Sequence, residues 1–279
     1  MIIGQATRRG RVLAAALVAL GLAACGGEPE LALEDTAPEA IYQRAEAQLA
    51  QGDADDAAVL FSEVERLYPY SEWAKRALIM QAFAYHEDRD YENARLAAQR
   101  YIDFYPVDED AAYAQYLLAL SYYDQIDQVG RDQGLTFQAL QSLRTVIERY
   151  PESEYARSSI LKFDLAFDHL AAKEMEIGRY YLKRGHHSAA ISRFRAVVEE
   201  YQTTTHTPEA LMRLVEAYLS LGLTDEAQTA GAILGHNFQS SPFYDDAFAQ
   251  LTGRGLAPEA RGTSWLRSVY DRTIRGRWL

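Results

Sequence analysis

Few residues in this chain have a type and spacing that could do chemistry, and the first is a thiol. Cys25 is the only cysteine, and it follows Leu22, Ala23 and Ala24. A thiolate is the strongest side-chain nucleophile near neutral pH, so an isolated cysteine suits alkylation; for a disulfide it has no partner. The histidines His186 and His187 are adjacent. Neighbours on a helix point to different faces, which makes them a poor pair of metal ligands, and no metal is expected. No Gly-rich phosphate loop, H-E-x-x-H or nucleophile elbow occurs, and the carboxylates are spread as solvated helix faces. No catalytic set and no cofactor is expected, so the chain reads as a binding protein and not an enzyme. The nineteen tyrosines remain. Tyrosine offers a broad ring, few rotors and a polar tip, which suits peptide capture. Tyr42, Tyr70, Tyr113, Tyr116 and Tyr123 are candidates for a concave client-binding surface, although packing between helices is an equal use for each.

The segment before Cys25 carries Arg8, Arg9 and Arg11, then an apolar run over residues 12–22, then small residues. That order describes a secretory signal over residues 1–24, with an apolar run too short to cross a bilayer as a helix. Its ending resembles the bacterial lipoprotein box. The resemblance implies diacylglycerol on the Cys25 thiol, cleavage before it and acylation of the new amino terminus. One chain binds a membrane only marginally, at about 0.8 kcal/mol per buried CH₂, whereas three would anchor firmly. Residues 25–37 run from Cys25 into Gly-Gly-Glu-Pro-Glu, have few apolar side chains, and are expected to form a flexible tether. Gly26 stands where enterobacterial lipoproteins retained at the inner membrane have Asp, which favours the outer membrane and its periplasmic face. The formal charge is −12, and it becomes −15 once the three signal arginines are removed. A surface so acidic excludes nucleic acid as a partner. With Cys25 lipidated, packing alone must hold the fold, and a hydrophobic content of 48% is enough for a core.

The elements that position these residues repeat. Tyr-Pro recurs at Tyr68-Pro69, Tyr105-Pro106 and Tyr150-Pro151. Proline cannot continue a helix and its predecessor is pushed out of the α region, so each pair closes one helix and opens the next hairpin. Ala57 and Phe61, with Pro69 eight residues on, match the A-x₃-F…P spacing of the tetratricopeptide repeat. The small anchor recurs at Ala94, Ala139, Ala190 and Ala227, twice at an interval of 37 residues. Tyr85, Tyr181 and Tyr218 each lie nine residues before an anchor. Small residues let two helices approach and larger ones at i+4 fill the groove beside them. The expected fold is all-α, a right-handed solenoid of about five tetratricopeptide-like helical hairpins.

Departures from the period divide the chain. Tyr122 to Ala139 is eight residues longer than the pattern, which places an exposed loop near 127–134, with its two glycines. From Glu152 to about Leu182 no proline occurs, and Leu161, Leu165, Phe167, Leu170, Met175 and Ile177 predict one long helix buried on more than one face. It would join repeats 1–3 (38–151, the client-binding half) to repeats 4–5 (152–237). Residues 238–279 carry Arg254, Arg261, Arg267, Arg272, Arg275 and Arg277. Trp265, Leu266, Val269, Tyr270 and Ile274 form one helical stripe there. It serves as a capping helix or as a basic surface for a partner.

Several stretches carry a closer likeness: Arg149-Tyr-Pro-Glu-Ser-Glu-Tyr-Ala156, Leu170-Ala-Ala-Lys-Glu174, Gly178-Arg-Tyr-Tyr-Leu-Lys-Arg-Gly185 and Ala189-Ala-Ile-Ser-Arg-Phe194. With the Gly130-Arg131-Asp132 loop they resemble the BamD family of lipoproteins in the outer-membrane β-barrel assembly machine. The resemblance runs to about Gly235. It implies a non-enzymatic adaptor whose C-terminal repeats bind the last periplasmic domain of BamA, with Arg193 in that contact. It also implies N-terminal repeats that receive the aromatic-ended C-terminal signal of unfolded outer-membrane barrel proteins, and contacts with other machine subunits. A repeat lipoprotein scaffold for cell division or polysaccharide export is the alternative. A hydrolase on a helical solenoid would need a catalytic domain, for which too little chain remains.

Overall fold

The structure, a computed structural model, describes residues 33–278. The signal segment, Cys25 and the first part of the expected tether lie outside the described residues. A 3₁₀ turn (Leu33–Asp35) leads into twelve α-helices: α1 (Pro38–Gln51), α2 (Ala54–Leu67), α3 (Glu72–Glu87), α4 (Tyr91–Phe104), α5 (Ala111–Tyr123), α6 (Gly134–Arg149), α7 (Glu154–Lys183), α8 (His187–Glu200), α9 (Thr207–Ser220), α10 (Thr224–Asn237), α11 (Pro242–Thr252) and α12 (Trp265–Ile274). From α1 to α11 each helix packs on the next, and α1 to α10 form five antiparallel hairpins in a stack. The fold is all-α and solenoid-like, and among the described residues there is no strand and no helix long and apolar enough to cross a membrane.

The anchors explain the stacking. Ala57, Ala94, Ala139, Ala190 and Ala227 are all fully buried. Four residues on, Phe61, Ala98, Leu143 and Phe194 are also fully buried and fill the space that the small residue opens. At the fifth hairpin that station is Gly231, where an added Cβ would lie 2.6 Å from Leu251 Cδ1, so α11 presses directly on backbone. Gly178 plays the same part between α7 and α8, since a Cβ there would meet the Phe194 ring at 2.4 Å.

The turn between hairpins is an aromatic cap, and it is more general than the Tyr-Pro pairs. Tyr68, Tyr105 and Tyr150 end α2, α4 and α6 with φ near −130° and ψ above 50°. Tyr201 and Phe238 end α8 and α10 in nearly the same conformation without a following proline. At all five the cap N–H donates to the carbonyl four residues back. At three of the turns a serine, Ser71, Ser153 or Ser241, then starts the next helix. The Ser71 and Ser153 hydroxyls donate to the carbonyls of Tyr68 and Tyr150 at 2.8 Å and accept from the N–H of Ala74 and Ala156 at 3.1 Å. One hydroxyl thus ties both ends of the turn.

From α1 to α7 each odd helix also touches the next odd helix, whereas even helices meet no such partner to the same extent. The stack is therefore closed on the odd side, and α1, α3, α5 and α7 form its inner wall. The inserted loop joins α5 to α6 over residues 124–133 and is held by Lys173, whose Nζ donates to the Gly130 carbonyl at 2.8 Å. Helix α7 is single and 30 residues long, as the missing prolines predict. Its burial differs from expectation. Leu170 and Met175 are buried, but Leu161 and Leu165 are 67% and 62% exposed. Leu165 lines a cleft with Tyr123 and Ile126 beside the end of α5, and Leu161 lies one turn earlier on the same helix. The stretch read as tether also ends earlier than Ala37. Leu33 packs on the first hairpin and the Tyr68 hydroxyl donates to the Thr36 carbonyl at 2.7 Å, so these residues belong to the folded body.

The tail packs as a cap. Helix α12 lies on α10 with Leu266 and Val269 fully buried. Trp278 is buried against Phe238 and donates to the Val198 carbonyl at 3.3 Å. Ile274, counted in the apolar stripe, is the last residue of α12 and is 52% exposed.

Candidate functional site: an aromatic strip on the inner wall

Helix α5 presents Tyr113 and Tyr116 one turn apart, and α7 presents Tyr155 opposite them. The Tyr155 ring centre lies 5.2 Å from Tyr113 and 5.4 Å from Tyr116. Two turns along α7, Lys162 places its ammonium 5.8 Å from the Tyr116 ring and 5.7 Å from the Tyr123 ring. Tyr123 and Leu165 then line a cleft of about 360 Å³ that includes Ile126 and His169. The result is a half-buried strip along the α5–α7 seam, flanked by the exposed Leu161 and Leu165.

Its electrostatics favour neutral hydroxyls beside one cation. Burial, with the neighbouring Tyr155 next in effect, pushes Tyr113 up to about 12. Burial also raises Tyr155. Both stay protonated at physiological pH and can donate. The hydroxyls of Tyr113, Tyr116, Tyr123 and Tyr155 have no hydrogen-bond partner among the described residues, and Lys162 forms no ion pair there. An ammonium over aromatic faces keeps favourable contacts while its outward N–H donors stay available. The strip can therefore hold apolar side chains on rings and leucines and accept carbonyl or carboxylate oxygens on Lys162 and the phenols.

The structure brings together three of the five tyrosines singled out by sequence: Tyr113, Tyr116 and Tyr123. Tyr42 is corrected to a core residue. With Ile41 and Ala45 it forms the buried face of α1, its ring 5.3 Å from Phe61 and 5.1 Å from Trp73. Tyr70 is fully exposed on the α2–α3 turn, away from the strip. Sequence reasoning missed Tyr155 and Lys162 as site residues. Their spacing, 155 to 162, is two helical turns on one face of α7, and that was the available signal.

Arg193 lies in the other half, on α8. Its Nη1 donates to Glu174 of α7 at 3.1 Å, and the side chain is half-exposed. The contact uses Nη1 alone and leaves Nε and Nη2 without a hydrogen-bond partner among the described residues. Nearby, Arg179 of α7 pairs with Glu209 of α9 at 2.9 Å. His186 caps α8 and His187 begins it, so the pair is separated by the turn geometry. Among the described residues no group of three or more His, Cys, Asp or Glu is placed to hold a metal.

Comparison with known proteins bears on both surfaces. The profile of the YfiO family, described as an outer membrane lipoprotein, matches residues 34–233. The chain is 48% identical over 249 residues to a protein of Caulobacter vibrioides named outer membrane protein assembly factor BamD, covering 88% of this chain and 82% of that one. It is 41% identical to the protein of the same name in Rickettsia prowazekii, covering 85% and 95%. Against the one in Neisseria meningitidis serogroup A it is 28% identical, again covering 85% and 95%.

Proposed function

The chain belongs to the YfiO family of outer membrane lipoproteins, and from that premise we propose that it is a non-enzymatic adaptor in the assembly of outer membrane proteins, anchored through lipid on Cys25. The observation that carries this is the strip of Tyr113, Tyr155, Tyr116, Lys162 and Tyr123 on the inner wall. The family match covers the five hairpins almost to the end of α10, so it includes the helices that build the strip.

An unfolded barrel protein would lay an extended or helical segment along the α5–α7 seam. The phenol rings and the two leucines take its apolar side chains, and Lys162 takes a backbone or terminal carboxylate oxygen. The last periplasmic domain of BamA would dock on the C-terminal repeats, with Arg193 oriented by Glu174. Recognition of this kind needs no reacting group. Affinity purification of the lipoprotein from detergent-solubilised membranes tests it. BamA and outer-membrane barrel proteins are expected to co-purify, and Arg193→Glu is expected to remove BamA with an unchanged circular dichroism spectrum. Recovery of division or export proteins in their place would overturn the assignment.

A further inference from the structure

The basic tail does more than cap the stack. Arg254, Arg272, Arg275 and Arg277 are exposed, and their guanidinium groups form no ion pair, hydrogen bond or ring contact among the described residues. Among the described arginines before residue 254, only Arg89 and Arg157 stand free in that way. Acids are not scarce, with 40 Asp and Glu against 28 Lys and Arg in the chain. The arginines are free because the tail is held with them facing out. Leu266, Val269 and Thr273 bury the inner face of α12. After it, the Gly276 N–H donates to the Thr273 carbonyl and the Arg277 N–H to the Arg272 carbonyl, both at 2.9 Å, with Gly276 in the left-handed region at φ 63°. Trp278 then returns to the core. Arg272, Arg275 and Arg277 are left on the solvent side of this turn, with the half-exposed Ile274 between them in sequence.

A helix C-terminus attracts cations through its dipole, which accounts for Arg272 and Arg275 as support for α12. It does not account for Arg277 beyond the turn, or for an exposed isoleucine in the same place. The partner's chemistry follows from charge and shape. An amphipathic helix can sink its apolar face into a bilayer, but that mode is closed to α12, whose Leu266 and Val269 are already buried on α10. What remains is the end of the helix. Exposed side chains there splay over a convex tip, which gives an acidic peptide no groove to lie in, whereas a broad anionic surface meets all three guanidinium groups at once. Guanidinium suits phosphate through its paired donors, and Ile274 can enter the headgroup layer beside them. Each arginine close to an anionic surface raises the partition about fivefold, so three raise it about 100-fold. The acidic body is repelled by such a surface and screened beyond about 8 Å at physiological salt, which favours approach by this end.

We propose that the tip of α12, with Arg272, Ile274, Arg275 and Arg277, docks on anionic phospholipid headgroups. Which membrane it meets rests on the outer-membrane reading above; the contact itself needs no lipid on Cys25. Vesicle co-sedimentation tests it with residues 25–279 carrying Cys25→Ser, which contain every described element and leave out the basic signal segment. The vesicles are phosphatidylcholine alone, or equal parts phosphatidylcholine and phosphatidylglycerol. Binding is expected only where phosphatidylglycerol is present, and added salt should weaken it. Replacing Arg272, Arg275 and Arg277 together by glutamine is expected to lower the partition about 100-fold with an unchanged circular dichroism spectrum. The matching triple lysine variant keeps the charge and should stay within about tenfold of the parent. Ile274→Ser is expected to weaken binding several-fold. Four results would each overturn the proposal: no binding to phosphatidylglycerol vesicles, equal binding to phosphatidylcholine, a glutamine variant that binds as the parent does, or a lysine variant that loses as much as the glutamine one. Polyglutamate captured by these arginines where vesicles are not would likewise assign the tip to an acidic protein instead. With lipids alone as the probe, failure here leaves co-purification of BamA and barrel proteins untouched, and failure of that co-purification leaves the vesicle result standing.

Discussion

At Asp108 one carboxylate closes a turn that has no serine. Its Oδ2 accepts from Lys75 at 2.8 Å, and its Oδ1 accepts from the Tyr101 hydroxyl at 2.6 Å and the Asp110 N–H at 3.2 Å. The hydrogen bond from Lys75, then that from Tyr101, holds the carboxyl at about 2, well below the usual carboxylate range. A depressed pKa stabilises the fold above the unfolded value of about 3.9 and ceases to do so as pH falls through the folded value. Asp108→Asn should cost about 1–3 kcal/mol at pH 7, since it removes a charged acceptor from the buried Tyr101 hydroxyl. Denaturant titrations of both proteins at several pH values check this, and the difference between them should shrink between pH 4 and pH 2. Residue roles were only partly legible in sequence for a related reason. A tyrosine packs or binds with the same ring, and only the neighbours decide. Tyr42 shares its helix face with Ile41 and Ala45 and is buried, whereas Tyr113 and Tyr116 reach the open seam because α7 crosses beside them.

Among the elements, the crossing of α7 and α8 depends on the absence of one atom. A Cβ at position 178 would sit 2.4 Å from Cε1 of Phe194, closer than any real contact. Gly178→Ala gains helix propensity of about 1 kcal/mol but forces the ring or α8 away, at about 1–3 kcal/mol. The net is expected to be destabilising by urea denaturation. Combining it with Phe194→Leu should recover part of that loss, so the double-mutant cycle should show coupling between the two positions. Independent, additive losses would show that the crossing does not rest on this contact. Helices and hairpins were legible because alanine anchors and helix breakers act locally. Two features were not. The cap at Tyr201 and Phe238 lacks the proline that made the first three visible, although the backbone conformation is the same. Leu161 and Leu165 look like core residues by type, but what leaves them open is the packing of α5, which no local pattern in α7 records.

For the molecule as a whole, the proposed adaptor has to hold two surfaces in fixed relation while a lipid on Cys25 would hold the stack. Helix α7 does the first. At about 1.5 Å per residue its 30 residues span roughly 45 Å, carrying Tyr155 and Lys162 at one end and Glu174, the partner of Arg193, toward the other. A lipid on Cys25 would supply the second, and in the adaptor proposed above such an anchor would contribute local concentration and not recognition. Cys25→Ser should therefore be lost from outer-membrane fractions yet bind client peptides and BamA in solution with unchanged affinity. Where the folded body begins matters for that comparison. A version starting at Pro38 removes Leu33 from the first hairpin and leaves the Tyr68 hydroxyl without its acceptor on Thr36. It should unfold at lower urea, by about 1–2 kcal/mol, while the Cys25→Ser protein matches the parent. If both soluble forms were equally stable and only the shorter one lost binding, residues 33–37 would belong to the recognition surface and not to the support of the first hairpin. If Cys25→Ser itself weakened binding in solution, the lipid would be part of the site.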